Sequence, residues 1–423
     1  MKALCTGSLS AVARQISGTT WSMESSAGQQ KLKPPRLLGA GRATVVRLLL
    51  LNKHLSGADL ARRSGLSEAQ VSRIIAALIN DKLVRERGTE SSTGGRPGRR
   101  LELEPARVAF GAEIQIQKTR CAISNVHGDL IESRSFPTPL SPEKTLGRIA
   151  EMFFDFRDRF GTDRIMGAGL CTNGVIDHEA GILVRGASRD WINVPVRQIL
   201  EARLQEPIFL TSDVRAAALA EYNYGWRGVH GSHCFFYVTV NEDVKMGIIL
   251  DGKVYHTPRM AAGRLGKMAM TSSSAPEGHD QPHDLDMFIS NSALCERYAS
   301  LVGEQGASDS RDSASRVSQI ARLARKGDTH ARQVVEDSGR YLGLAVANVA
   351  WAVDPEVIVI DGPITDAWHL LEPPLLSQLQ SFRGLLVVSS ALKSQAPLIG
   401  AAMLVLSTAA GSRPVLQKLT ERV

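Results

Sequence analysis

Two short capped helices joined by one tight turn are the feature that most constrains this chain. Ser56 is a candidate N-cap for the first helix, and Gly65 is placed to end it. The second helix begins after Ser67, where Gln70 three residues later completes a capping box. Two helices in this arrangement are typical of a helix-turn-helix, whose second helix enters a major groove of DNA.

The second helix has one apolar and one polar face. Its inward face carries apolar residues spaced by three and four positions, namely Val71, Ile74, Ile75 and Leu78. The polar residues at its start and on its opposite face are predicted to contact DNA: Ser67, Gln70, Ser72 and Arg73. A buried helix predicted over residues 43–52 precedes this pair.

After Leu83 the apolar pattern changes to a period of two, which predicts two short strands around a loop. The loop spans residues 88–100, and its glycines let the backbone lie close to phosphates. Arg96, Arg99 and Arg100 add positive charge that also suits a minor groove. The segment therefore predicts a winged helix-turn-helix, and the alternative is a three-helix unit that docks on protein through a solvated basic face.

Charge divides the chain in the same way. Residues 31–105 hold 15 basic and 7 acidic side chains, whereas residues 106–423 hold 33 and 35. Such a basic module beside a near-neutral one is typical of a protein that binds a polyanion with one domain only. We expect a disordered leader over residues 1–34, a DNA-binding domain over 35–105 and a large domain over 106–423. Met23 is a possible start of translation.

Cysteine usage and hydropathy indicate the compartment. The five cysteines are scattered, with no C-x-x-C pair, which favours a reducing cytoplasm and disfavours a cysteine-rich metal site. No apolar run approaches the ~18 residues that suggest a membrane span. We therefore expect a cytoplasmic protein with no membrane partner.

In the large domain, strand patterns precede long helices twice. Strands are predicted over residues 108–116, 120–126, 131–136 and 165–171, around a helix at 142–160. A second set has a helix at 213–224 and strands at 234–240, 246–250 and 254–255. This order predicts an α/β fold with two related lobes and a ligand cleft between them.

The chain resembles the ROK family, named for repressors, open reading frames and kinases. The wing residues 94–97 and the following 101–105 are similar to the hinge of its repressor branch, and residues 211–221 are similar to its E-N-D-x-N-A-A-A-L-x-E segment. Further matches follow in order at residues 169–177, 191–196, 251–253, 296–300, 354–360 and 399–402. The resemblance implies an actin- and hexokinase-like two-lobed (ribonuclease H-like) domain after the winged helix.

The family's kinase features are eroded in this sequence. Kinase members cradle ATP with glycine-rich loops, but here Gln115 and Ile116 stand in the first loop and only Gly247 remains in the second. The zinc site is also altered, because Lys267 replaces the histidine ligand and no cysteine lies in residues 285–294. We therefore expect no catalysis, no ATP, no metal and no cofactor, with a loop over residues 271–284 in place of the metal site.

The sugar site is partly kept. The resemblance assigns effector contacts to Asn173, Gly174, Asp213 and Glu296. For Asp213 and Glu296, the alternatives are a helix N-cap and a surface charge.

Several replacements carry positive charge. Arg215, Arg264 and Lys267 stand at family positions that are not cationic, and Lys245 lies in the eroded glycine loop. If these side chains face the cleft, they favour an anionic effector such as a sugar acid or sugar phosphate. The alternative is a decayed pocket in which they form internal ion pairs.

These features together predict a transcriptional regulator, most simply a repressor, that binds an operator in double-stranded DNA as a homodimer or tetramer. A carbohydrate-related effector would change the separation of its two DNA-binding heads. The rivals are a sugar kinase with an accessory DNA-binding domain and a DNA-binding dimer that responds to no ligand.

Overall fold

The computed structural model describes residues 40–52, 54–89, 99–186, 190–226, 231–255, 262–270, 283–304 and 313–409. The predicted leader lies outside these residues, as do Arg96 and most of the predicted loop at 271–284. Within the described residues, no helix is both long and apolar enough to span a membrane.

The first elements form a three-helix unit with a small sheet. They are α1 (Ala40–Leu51), β1 (Leu55–Ser56), α2 (Gly57–Ser64), α3 (Glu68–Asn80), β2 (Val84–Thr89) and β3 (Arg99–Leu103). Both caps form as the sequence predicts: Ser56 accepts from the backbone of Asp59, and Gly65 ends α2 in the left-handed conformation. β1 was not predicted; it pairs antiparallel with β3, and β2 pairs with the other edge of β3. Residues 40–103, which the sequence predicts to bind DNA, are called the DNA-binding module below.

Sheet I follows the module. Its strands are β4 (Val108–Ile114), β5 (Lys118–Asn125), β6 (Leu130–Pro137), β7 (Ile165–Thr172) and β11 (Ile208–Ser212), in the order β11-β7-β4-β5-β6. The outer helices are α4 (Pro142–Phe160) and α5 (Val196–Leu204). A small antiparallel sheet branches from this lobe through β8 (Gly174–Asp177), β9 (Ile182–Gly186) and β10 (Ile192–Val194). Phe110, Phe153 and Phe156 are fully buried between sheet I and α4.

Sheet II repeats the pattern later in the chain. It contains β12 (Cys234–Val240), β13 (Val244–Leu250), β14 (Lys253–Val254), β15 (Val357–Asp361) and β16 (Leu386–Ser389), in the order β14-β13-β12-β15-β16. Its outer helices are α7 (Asp286–Ile289), α8 (Asn291–Val302), α9 (Ser313–Arg325), α10 (Thr329–Val353) and α11 (Trp368–Ser377). In both sheets the central strand has an antiparallel neighbour on one side and a parallel one on the other.

Two helices lie between the sheets: α6 (Asp213–Tyr224) and α12 (Ala396–Ala409). They pack so closely that a Cβ at Gly400 would overlap the carbonyl oxygen of Ala216. α6 packs on sheet II, and α12 packs on sheet I. The chain therefore has α/β layers around a central helix pair whose backbones are nearly in contact.

Candidate functional site

The recognition helix α3 presents polar side chains in its first turns. Ser67 accepts from the amide of Gln70 at 3.3 Å, and the Gln70 side chain accepts from the amide of Ser67 at 3.0 Å. Ser72 and Arg73 follow on the exposed surface. The geometry brings these four predicted DNA contacts together on one helix end.

The wing strands hold their arginines in ion pairs. Arg99 pairs with Glu86 at 2.7 Å, with both side chains largely exposed. The nearby carboxylate of Glu102 is buried and pairs with Arg85 at 2.6 Å and Arg87 at 3.0 Å. Burial by itself would raise the pKa of Glu102, but the hydrogen bonds from Arg85 and Arg87 outweigh it and hold the pKa below its ordinary value.

The prediction did not identify the Glu102 cluster. The alternation of Arg85, Arg87 and Glu102 on facing strands is the sequence signal that indicates it. Arg100 is exposed on β3, while Arg96 lies outside the described residues.

A cleft opens between the two lobes, with a volume of about 410 Å³. It is lined from sheet I by Glu113 and Gln115, and from the start of α6 by Asp213. Sheet II contributes Asp361, and the segment before α12 contributes Lys393. The described lining thus contains more carboxylates than cations.

Asp213 is the first residue of α6, and its position is fixed by two contacts. One carboxylate oxygen accepts from the amide of Val214 at 2.7 Å, and the other lies 2.6 Å from Nζ of Lys245. Lys245 also lies 3.5 Å from Asp243. Burial alone would lower the pKa of Lys245, but Asp213 and Asp243 outweigh it and raise the pKa above its usual range. Lys245 is therefore charged and already paired with two carboxylates.

Arg215 is buried and contacts His178, the residue after β8. Nδ1 of His178 lies 3.3 Å from the carbonyl oxygen of Leu210, so Nδ1 carries the proton and Nε2 accepts from Arg215. Burial, followed by the charge of Arg215, lowers the pKa of His178 to about 4. The pair is thus a cation held by a neutral imidazole.

The other predicted effector residues lie apart from this cavity. Asn173 lines a separate small cavity with Thr172 and Trp191, and Gly174 begins β8 beside it. Arg264 is exposed near a short 3-10 helix, and Glu296 is exposed on α8. The structure thus places Asp213 in the cleft between the lobes and does not bring the four predicted cations together around it.

The residues at the family's zinc position do not fit a zinc ion. Lys267 lies 2.9 Å from Asp284 and 3.0 Å from Asp286, so an ammonium group occupies the place of the histidine ligand. Among the described residues, no group of three or more His, Cys, Asp or Glu side chains is placed to hold a metal.

Two buried carboxylates at the cleft were not predicted. Burial raises the pKa of Glu113 despite its ion pair with Arg120. Burial also raises the pKa of Asp361, which accepts a 2.7 Å hydrogen bond from the hydroxyl of Tyr237. Both lie near the ends of inner strands, Glu113 in β4 and Asp361 in β15, where a polar residue after an apolar run is the available signal.

The one glycine kept from the second kinase loop has a packing role. A Cβ at Gly247 would lie 2.7 Å from both the Ala218 Cβ and the Val214 carbonyl oxygen of α6. Its presence is explained by the close approach of β13 to α6 and does not require a bound phosphate.

Comparison with known proteins identifies relatives over most of the chain. A family model described as ROK family matches residues 109–408. A xylose repressor of Caldicellulosiruptor bescii is 25% identical over 382 residues, covering 86% of this chain and 94% of the repressor. The DNA-binding transcriptional dual regulator NagC of Escherichia coli K12 is 25% identical over 341 residues, covering 79% and 83%.

Solved structures show the same fold. A ROK family transcriptional regulator described as a homolog of the E. coli MLC protein superposes with a TM-score of 0.74 at 22% identity, covering 88% of this chain and 96% of its own. A ROK hexokinase from Thermus thermophilus superposes with a TM-score of 0.58 at 25% identity, covering 70% and 97%. These matches confirm the predicted two-lobed, actin- and hexokinase-like α/β fold.

Proposed function

The chain belongs to the ROK family, and from that premise we propose that it is a DNA-binding transcriptional repressor of carbohydrate-related genes whose cleft binds a sugar effector. The observation that carries this proposal is the joint presence of two sites on one chain. The helix α3, which begins with a capping box and exposes polar side chains, precedes a sugar-kinase-like cleft that contains Asp213. A relative named as a xylose repressor and one named as a DNA-binding transcriptional dual regulator support a regulator that binds DNA.

The two parts have separate roles in this proposal. Residues 35–105 bind the operator, through Ser67, Gln70, Ser72 and Arg73 in the major groove and through Arg96, Arg99 and Arg100 of the wing. Residues 106–423 bind the effector and form the homodimer or tetramer. Two heads must reach major grooves about 34 Å apart, so an effector that changes their separation lowers the affinity for DNA. The proposal includes a cytoplasmic location, because the operator would lie in chromosomal DNA.

A kinase activity is the rival, because ROK kinases share the fold. The geometry of the cleft opposes it. Glu113, Asp213, Asp361 and Asp366 line the cavity, and Lys393 is the described cation among its lining residues. Such a lining offers little positive charge to a triphosphate, and the first hairpin has Gln115 where the kinases have glycine. We therefore propose that the chain is not an enzyme.

The charge of the effector follows from the ion pairs. Lys245 and Lys267 are each paired with two carboxylates, which differs from the expectation of a cationic cleft. An uncharged sugar therefore fits the lining carboxylates, which accept hydrogen bonds from hydroxyl groups. The anionic alternative rests on Arg215, whose partner His178 is neutral but which is not among the residues that line the described cavity.

The test uses the full chain. DNA sites are first selected from a random-sequence duplex pool, and a gel shift then measures binding with and without neutral sugars, sugar acids and sugar phosphates. We expect a selected site, and release by at least one sugar that also raises the melting temperature. Selected binding that no sugar relieves would support the ligand-independent dimer, and ATP-dependent phosphorylation lost in Asp213→Asn would support the kinase.

A further inference from the structure

Besides the apolar contact of Leu406, a polar contact between the DNA-binding module and the large domain is made by Arg47 of α1. The Arg47 guanidinium donates to the hydroxyl of Tyr222 and lies 5.3 Å from the centre of its ring. Its other terminal nitrogen donates to the carbonyl oxygen of Asp251 at 3.3 Å. One side chain of the module thus binds two elements of the large domain, α6 and the β13–β14 turn.

The large domain holds the receiving group in a fixed position. Tyr222 is fully buried, packs edge-on against Phe235 with ring centres 5.5 Å apart, and donates its hydroxyl proton to the carbonyl oxygen of Ser232 at 3.2 Å. Because that proton is committed, the hydroxyl oxygen is oriented to accept from Arg47. Gly252 leaves space for the guanidinium, since a Cβ there would overlap it.

Tyr222 lies on the same helix as the cleft residue Asp213. Nine residues separate them, which is about 14 Å along a helix. The neighbouring α12 also runs from the cleft to the DNA-binding module, because Pro397 lines the cleft and Leu406 is buried in the core of the module. The close approach at Gly400 and Ala216 brings the backbones of the two helices into direct contact.

We propose that Arg47 and Tyr222 form a latch that fixes the DNA-binding module on the large domain and links it, through α6, to the cleft. A ligand that displaces Asp213 also displaces α6, whose other end holds Arg47 through Tyr222. The ligand changes the affinity for DNA if it binds the latched and the released states with different affinities. The link to DNA rests on the proposed function, whereas the latch itself does not.

Hydrogen exchange of the full chain tests the latch without DNA or ligand. In Tyr222→Phe and in Arg47→Ala, the slowest amides of α1 and α3 are expected to exchange about tenfold faster, because a hydrogen bond to a charged group is lost. Tyr237→Phe is the matched control in the large domain, because its buried hydroxyl donates at 2.7 Å to Asp361 and makes no hydrogen bond to the described residues of the module. Arg63→Ala controls for charge, since Arg63 bonds Asn52 within the module. Unchanged exchange in the two latch variants, or equal acceleration in their controls, would overturn the latch.

A mutant cycle then tests the link to the cleft, with the affinity for the selected DNA duplex as readout. We expect Asp213→Asn to change this affinity by at least about fivefold when Tyr222 is present, and by much less in the Tyr222→Phe background. An equal effect in both backgrounds, or no effect in either, would overturn the link. Absence of any selected DNA site would instead refute the proposed function, while hydrogen exchange would still decide the latch.

Discussion

The surface of the DNA-binding module that is predicted to face DNA and the cleft of the large domain use charged side chains in opposite ways. In the module, Arg73 and Arg99 are exposed, and the partner of Arg99 is exposed as well. At the cleft, Lys245 is largely buried against Asp213, and Arg215 is buried against a neutral His178. Exposed charges contribute little to folding and remain available to a polyanion, whereas buried charges fix the shape of the cleft. Substitutions that separate stability from binding therefore test the contrast.

The largest effect on stability is expected at Lys245. Lys245→Met leaves Asp213 and Asp243 without their cation in a partly buried site, so the free energy of unfolding should fall by about 3 kcal/mol. Urea unfolding at pH 7 measures it, with Arg99→Ala as the matched loss of one cation in the module. A similar small fall in the free energy of unfolding in both variants would contradict the contrast between buried and exposed charges.

Acid should weaken the large domain through His178. Its pKa in the folded protein is about 4, below the ordinary value of 6.5, so the unfolded chain binds the proton more tightly. The contribution is complete above pH 6.5 and is lost as the pH falls toward 4, amounting to about 2 kcal/mol between pH 7 and pH 5. His178→Gln should show a correspondingly shallower loss of unfolding free energy over this range. An equal pH dependence in both proteins would contradict a neutral buried imidazole.

The cap of the recognition helix should make a smaller contribution. Ser67→Ala removes the acceptor for the Gln70 amide and should lower the free energy of unfolding by about 1 kcal/mol. Ser72→Ala, an exposed position later on the same helix, is the control and should stay within about 0.5 kcal/mol of the wild type. Chemical unfolding followed by circular dichroism separates the two. An equal fall in the free energy of unfolding in both variants would show that the Ser67 cap stabilises the protein no more than an ordinary exposed serine of the same helix.

The smallest effect on stability is expected at the wing. Arg99→Ala breaks an exposed ion pair with Glu86 and should cost at most about 0.5 kcal/mol. If Arg99 contacts a phosphate, the same variant reduces the slope of log affinity for DNA against log salt by about 1. Gel shifts over a range of salt concentrations measure the slope. A wild-type slope in Arg99→Ala would remove this residue from the DNA contacts.

Sequence patterns predicted the local structure closely. The helices Pro142–Phe160 and Asp213–Tyr224 begin and end where the apolar spacing and caps place them, and the same holds for the strand Cys234–Val240. These boundaries depend on neighbours along the chain.

The partners of charged residues were beyond the same reasoning. The separation between Lys245 and Asp213 is 32 positions, and that between Arg47 and Tyr222 is 175. Such pairs are set by how strands and helices pack, so a count of cations at family positions could not distinguish a charged pocket from internal ion pairs. β1 was missed for a related reason, because a two-residue strand has no period of its own and depends on β3.

The position of Leu406 has a consequence for the order of events during synthesis. This residue of α12 is buried with Val46, Leu60 and Leu103 in the core of the DNA-binding module. A growing polypeptide therefore carries the residues of α1 to β3 long before it contains the side chain that completes their packing. The core of the DNA-binding module is therefore complete only after α12 has left the ribosome. A chain that ends before Leu406 lacks part of that core.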